Sequence, residues 1–98
     1  MNIRMIQNVP NLVIALEGRL DTNTSPELES VLMPQLEEAQ SLVIDAEKLE
    51  YVSSAGLRVL LAAHKAMSGK GGMKVRNVCD LVMEVFDVTG FTDIFSIE

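Results

Sequence analysis

Residues 41–67 read SLVIDAEKLEYVSSAGLRVLLAAHKAM, and the reading of this stretch decides the fold. It opens on the apolar run Leu42-Val43-Ile44 before Asp45, which suits a buried strand with parallel neighbours. A loop through Glu47, Leu49 and Tyr51 is expected next. The segment Val52-Ser53-Ser54-Ala55-Gly56-Leu57 then opens a helix running to about Met67, with Leu57, Leu60, Leu61 and His64 on one stripe.

Upstream, Ile3 to Val9 suggest a first strand and Pro10-Asn11 a turn. Leu12 to Glu17 form a clearer strand. Leu12, Ile14 and Leu16 share one face and Val13 and Ala15 the other, so the strand is expected to be covered on both sides or to lie near the sheet centre. Gly18 breaks the pattern, and Arg19 to Ser25 read as a polar loop. Ser25-Pro26 offers an N-cap and a first-turn proline, with Thr24 and Glu27 as a rival capping box. Leu28, Val31, Leu32, Leu36 and Ala39 follow at helical spacing, with a bend expected near Pro34. Downstream, Gly69, Gly71 and Gly72 make a tight turn. Met73 to Arg76 make a short strand. Val78, Leu81, Val82, Val85 and Phe86 mark a third helix that Gly90 terminates, and Ile94 to Ile97 a last short strand.

Strands alternating with helices imply an α/β domain with parallel pairs: a mixed sheet of four to five strands with about three helices packed against it. The 98 residues fit one domain spanning 1–98. A hydrophobic fraction of 48% with 22% charged residues is that of a folded globular chain. The formal net charge of −6 argues against nucleic acid, whose recognition needs a positive surface, and against an anionic membrane. The opening Met-Asn-Ile-Arg-Met-Ile lacks the apolar stretch of a signal peptide, and Leu57 to Ala63 is too short to span a bilayer. A cytoplasmic protein without membrane insertion is the expectation. One cysteine, Cys79, and one histidine, His64, leave no disulfide and no metal or cofactor site to expect.

The chemistry-bearing residues gather around Ser53 and Ser54. Either serine could simply cap the helix. Either could instead accept a phosphate, adding roughly −1.5 to −2 charges beside free backbone N–H groups and the positive end of the helix dipole. The fold could tolerate that charge, whereas a partner packed over the helix start would have to face it. Gly56 either permits close helix–sheet packing or gives a kinase access to Ser54. A catalytic nucleophile is disfavoured: there is no Gly-x-Ser-x-Gly elbow, and His64 lies ten residues along the helix from Ser54, roughly 15 Å away. The Gly69–Gly72 cluster lacks the Gly-Lys-Ser/Thr ending of a phosphate-binding loop. Asp21 is a loop carboxylate with no assigned task, and Asp45 either caps a neighbouring loop or faces a site. Glu37-Glu38 and Glu47–Glu50 read as solvated surface, and Cys79 as a small, partly buried residue.

On these motifs the sequence resembles the STAS domain family and, within it, the bacterial anti-sigma-factor antagonists. Leu16-Glu17-Gly18-Arg19-Leu20-Asp21 is similar to the family's Leu-x-Gly-x-Leu-Asp segment and Leu42-Val43-Ile44-Asp45 to its central strand. Tyr51 to Leu57 resembles its Asp-Ser-(Ser or Ala)-Gly-Leu signature, and Leu81 to Phe95 its third helix and Gly-Phe/Leu ending. The resemblance implies that Ser54 is the phosphoacceptor, with Ser53, in the aspartate's place, as the alternative. Arg58 stands where many members have glycine and puts a positive charge in the first turn. The implied function is that of a non-enzymatic switch. The unphosphorylated protein binds an anti-sigma factor that is also a serine kinase, phosphorylation ends the interaction, and a serine phosphatase restores it. The implied partner surface comprises Arg19, Asp21, Thr22 and Asn23 with Ser53, Ala55, Gly56 and Arg58. The alternative is an adaptor subunit of a transporter or stress-signalling complex, with the same fold and no phosphate turnover.

Overall fold

A computed structural model describes residues 1–98. The elements follow as β1 (Asn2–Gln7), β2 (Asn11–Leu20), α1 (Ser25–Leu32), β3 (Ser41–Val52), α2 (Ser54–Met67), β4 (Met73–Arg76), α3 (Asp80–Thr89) and β5 (Ser96–Ile97). The strands form one mixed sheet in the order β1-β2-β3-β4-β5. β1 runs antiparallel to β2, and every later pair is parallel, with a helix between its strands.

Alternation along the strands sorts their side chains. Leu12, Ile14 and Leu16 of β2, Leu42, Ile44 and Ala46 of β3, and Met73 and Val75 of β4 are all buried. Leu28 and Leu32 of α1, Leu57, Val59, Leu60, Ala63 and Met67 of α2, and Val82 and Phe86 of α3 join them in one core. Each fully buried leucine contributes about 1.5–3 kcal/mol relative to exposure. The opposite sheet face holds Val13, Ala15, Val43 and Asp45, all only partly buried, with Lys74 exposed. Of the two expectations for β2, cover on both sides is therefore corrected, while the strand does lie inside the sheet, between β1 and β3. The helices form a single layer on one face, and the apolar side chains on the other are small enough to remain at the surface.

Two strands are longer than their patterns suggest. β2 continues through Gly18, whose φ of +106° suits glycine, to the buried Leu20. The residues expected as loop from Arg19 onward thus begin as strand. β3 extends through Glu47 to Val52 instead of stopping at Asp45. Asp45 pairs with Ala15 and Lys48 with Glu17, so β3 carries an extra residue there, and the register shifts again before the Arg19–Tyr51 pair. Bulges of this kind break the two-residue period on which a strand is recognised.

Pro34 ends the α-helical part of the first helix instead of bending a longer one. α1 stops at Leu32, and Met33–Gln35 form a 3₁₀ turn. Leu36 and Ala39 still reach the core from the segment that follows. Gly71 lies where a Cβ would meet the Gln40 carbonyl oxygen, and Gly90 caps α3 at φ +80°. Leu81, expected on the core stripe of α3, is 53% exposed. No helix is long and apolar enough to cross a membrane.

Candidate functional site at the start of the second helix

Leu20 and Val52 are register partners at the ends of the parallel strands β2 and β3, so the two chains leave the sheet side by side. Both residues are buried. The Ser53 N–H donates to the Leu20 carbonyl at 2.8 Å, which ties the start of α2 to the end of β2. Gly56 completes the junction. A Cβ there would lie 2.6 Å from Leu20 Cγ and 2.9 Å from the Leu20 carbonyl oxygen. Gly56 is buried, and the absence of a side chain is what lets α2 sit on this strand.

The two serines have different surroundings. Ser53 is the N-cap, with φ −92° and ψ 176°, and its Oγ accepts from the Gly56 N–H at 3.4 Å. Ser53 is half-buried. Ser54 is the first helical residue and is exposed, and its hydroxyl makes no hydrogen bond within the chain. The first turn of α2 carries no acid. Arg58 is the fifth helical residue, so its charge stands one turn beyond Ser54 and not in the first turn as expected. Arg58 is exposed and belongs to neither of the ion pairs of the chain. His64 lies on the same helix as Ser54, in edge contact with Phe95 at 5.8 Å, and so is no base for that serine.

The neighbouring loop is closed on itself. Asp21 Oδ1 accepts from the backbone N–H of Asn23 at 3.0 Å and of Thr24 at 3.1 Å, and from Thr24 Oγ1 at 3.2 Å. Thr24 Oγ1 also receives the Asp21 N–H, while the Ser25 hydroxyl donates to the Asp21 carbonyl. Hydrogen bonding from the Thr24 N–H, foremost, holds the Asp21 carboxyl below its ordinary range; desolvation opposes it, while Asn23 and Arg19 assist. Neither Thr24 nor Ser25 acts as the expected capping side chain of α1. Thr22 and Asn23 are exposed at the tip of the loop. Arg19, opposite Tyr51 in the sheet register, holds its guanidinium 4.4 Å from the Tyr51 ring centroid.

Six of the eight expected partner-surface residues thus present surface here. Gly56 lies beneath them, and Asp21 spends its carboxylate inside the loop. Between α1 and α2 runs a shallow groove of ≈ 410 Å³, lined in part by Thr22, Pro26, Glu29, Ala55, Arg58 and Ala62. Pro26, Glu29 and Ala62 were not among the expected residues. The spacing Ala55-Arg58-Ala62 on one helix and Pro26-Glu29 on the other carries that signal, since both sets fall on a helix face with too little apolar bulk to fill the space.

A second hollow, ≈ 260 Å³, lies on the uncovered sheet face beside Arg4, Ile6, Ala15, Glu17, Asp45 and Lys48. Three of its charged residues, Glu17, Lys48 and Asp45, are in ion pairs. Lys48 lies 3.7 Å from Glu17, and Arg76 3.5 Å from Asp45. Burial pushes the Asp45 carboxyl up, but hydrogen bonds from Asn77 and the Glu47 N–H, with the Arg76 charge, leave it below the ordinary value. Asp45 thus serves the β3 bulge. Cys79, with its thiol 3.4 Å from the Leu49 carbonyl oxygen, is partly buried as expected.

Comparison with known proteins identifies the family and the fold. The family model described as "Mlab, STAS domain" matches residues 5–96. The anti-sigma-B factor antagonist of Bacillus subtilis (strain 168) is 30% identical over 98 residues, covering 99% of this chain and 90% of that protein. Among solved structures, an anti-sigma factor antagonist from Mycobacterium paratuberculosis superimposes with a TM-score of 0.87 at 23% identity, over 98% of this chain and 83% of the other. The anti-sigma factor antagonist SpoIIAA in its unphosphorylated form gives a TM-score of 0.80 at 18% identity, over 99% of this chain and 86% of the other. With the family model matching residues 5–96 and the Bacillus subtilis relative 30% identical over 99% of this chain, the chain belongs to the STAS domain family.

Proposed function

We propose that this chain is an anti-sigma-factor antagonist working by partner switching, with Ser54 as its phosphoacceptor. In the unmodified state it binds an anti-sigma factor that is also a serine kinase. The docking surface is the start of α2 and the loop beside it: Arg19, Thr22, Asn23, Ser53, Ala55 and Arg58 in contact, Asp21 and Gly56 shaping them from beneath. The chain is a substrate of the kinase and catalyses nothing itself. Ser54 Oγ bonds to the γ-phosphorus of ATP as the bond to the β–γ bridging oxygen breaks; ADP leaves, and the hydroxyl proton goes to a base of the kinase. Hydrolysis of the phosphoester by a serine phosphatase restores the hydroxyl. These partners place the cycle in the cytoplasm.

One observation carries this reading. Of two adjacent hydroxyls, the fold uses Ser53 as a cap and leaves Ser54 exposed and unbonded, and Ser54 occupies the acceptor position of the family signature. A phosphate there changes the surface without removing any interaction of the interior. Repulsion and desolvation at an interface can supply about 4 kcal/mol, roughly a thousandfold in affinity. The replacement of the family's aspartate by Ser53 does not favour the adaptor alternative, because serine and aspartate are comparable N-caps. Mass spectrometry after incubation with the cognate kinase and ATP tests the proposal. A single phosphate on Ser54 is expected; an unmodified Ser54 would overturn it.

A further inference from the structure

We infer that Arg58 is the counter-ion of phosphorylated Ser54 within the chain, a positioning residue that holds the phosphate over the mouth of the α1–α2 groove. The inference rests on Ser54 being the phosphoacceptor and goes beyond it, because nothing in partner switching requires the phosphate to have a cation of its own.

The case comes from spacing, direction and an unused charge. Ser54 and Arg58 are four residues apart on an uninterrupted helix, which places their Cβ atoms about 6 Å apart on one face. Long side chains on a helix lean toward its N-terminus, so Arg58 extends back over the turn that Ser54 begins. Arg58 is uncommitted: it is exposed, makes no ion pair, not even with Glu29 across the groove, and the first turn of α2 holds no acid. A guanidinium presents a planar fork of donors that fits phosphate oxygens. Residues lining the groove include Arg58 on α2 and Glu29 on α1, whose charges cancel at neutral pH. Adding a phosphate of roughly −1.5 to −2 charges turns this balanced rim strongly negative. Because Arg58 both borders the groove and pairs with the phosphate, the dianion is fixed at the docking surface instead of swinging freely into solvent, and the one cation of the rim becomes unavailable to a partner's carboxylate.

The pairing is measurable without a kinase or partner. Phosphoserine is installed at position 54 by genetic encoding, and the second ionisation of the phosphate is followed by ³¹P NMR in the parent, Arg58→Gln, Arg58→Lys and Lys65→Gln backgrounds. A nearby cation favours the dianion, so the parent should titrate about 0.3 unit below Arg58→Gln, a twofold difference in proton affinity. Arg58→Lys should recover most of the difference, Lys65→Gln should match the parent, and 1 M salt should erase the effect. Equal titration of the parent and Arg58→Gln would overturn the inference, as would an equal shift in Lys65→Gln, which would reflect net charge alone. Because the phosphate is preinstalled, these outcomes are independent of the kinase test at Ser54. That test can fail while Arg58 still pairs with the phosphate, and Arg58 can prove idle while Ser54 remains the acceptor.

Discussion

Leaving β2, the chain enters α1 through a loop in which Asp21, Thr24 and Ser25 bond to one another and to local backbone. Leaving β3 alongside, it enters α2 with one serine engaged and the next one free. Both segments are polar, both precede helices, and both stand at the same end of the sheet. The difference lies in what remains after the backbone has been satisfied. The first loop consumes the side chains of Asp21, Thr24 and Ser25 in holding its own shape and leaves Thr22 and Asn23 exposed at its tip. The second needs a single cap, which leaves a hydroxyl, and one turn later a cation, with no task in the fold. The proposed switch draws on that remainder.

The comparison can be broken at several points. The largest effect on stability is expected from Gly56→Ala, which forces a methyl group against Leu20. A loss of about 1–3 kcal/mol should appear in urea unfolding; parental stability would mean that α2 is not seated on this strand. Ser53→Ala removes the cap and should cost about 1 kcal/mol in the same measurement. Ser54→Ala should change stability by less than about 0.5 kcal/mol while preserving partner binding and abolishing phosphate incorporation. A Ser54→Ala loss as large as that of Ser53→Ala would show that the two hydroxyls are not divided as described.

Asp21→Asn sharpens the other half of the comparison. The hydrogen bond from the Thr24 N–H, foremost, holds the folded Asp21 carboxyl below the ordinary aspartate value of about 3.9. Its ionisation therefore contributes stability that is present above that pH and is lost as pH falls through the lower folded value. The parent and Asp21→Asn should differ in urea midpoint at pH 7, and the gap should close as the pH drops below about 4. A gap that persists unchanged in acid would mean that the carboxylate charge is not what closes the loop.

Much of this was legible in the sequence. The apolar run Leu42–Ile44, the helix from Ser54 to Met67, the strand Met73–Arg76 and the glycine stop at Gly90 all show in local pattern, because each is bounded by residues with strong conformational preferences. The extensions of β2 and β3 do not show, because register shifts near Gly18 and Asp45 interrupt alternation while the strands continue. The single-sided helix layer was obscured by Val13, Ala15 and Val43, which are apolar yet lie on the uncovered face. At the site, position relative to the helix was readable and the family resemblance pointed to Ser54 ahead of Ser53, but which serine caps the helix was not readable. Capping depends on which residue leaves the sheet at an extended ψ, and that is set by the tie from Ser53 to Leu20 across the sheet. The closure around Asp21 likewise depends on a turn geometry that a lone carboxylate in sequence does not reveal.

The central claim is that a charge at Ser54 redirects binding and leaves the interior alone. Its most direct test is one protein carrying phosphoserine at position 54, compared with the unmodified chain in titration against the anti-sigma factor and in thermal unfolding. Partner switching predicts an affinity lower by about a thousandfold with a Tm displaced by no more than a few degrees. Equal affinities would contradict it, and so would weakened binding accompanied by collapse of the folded state.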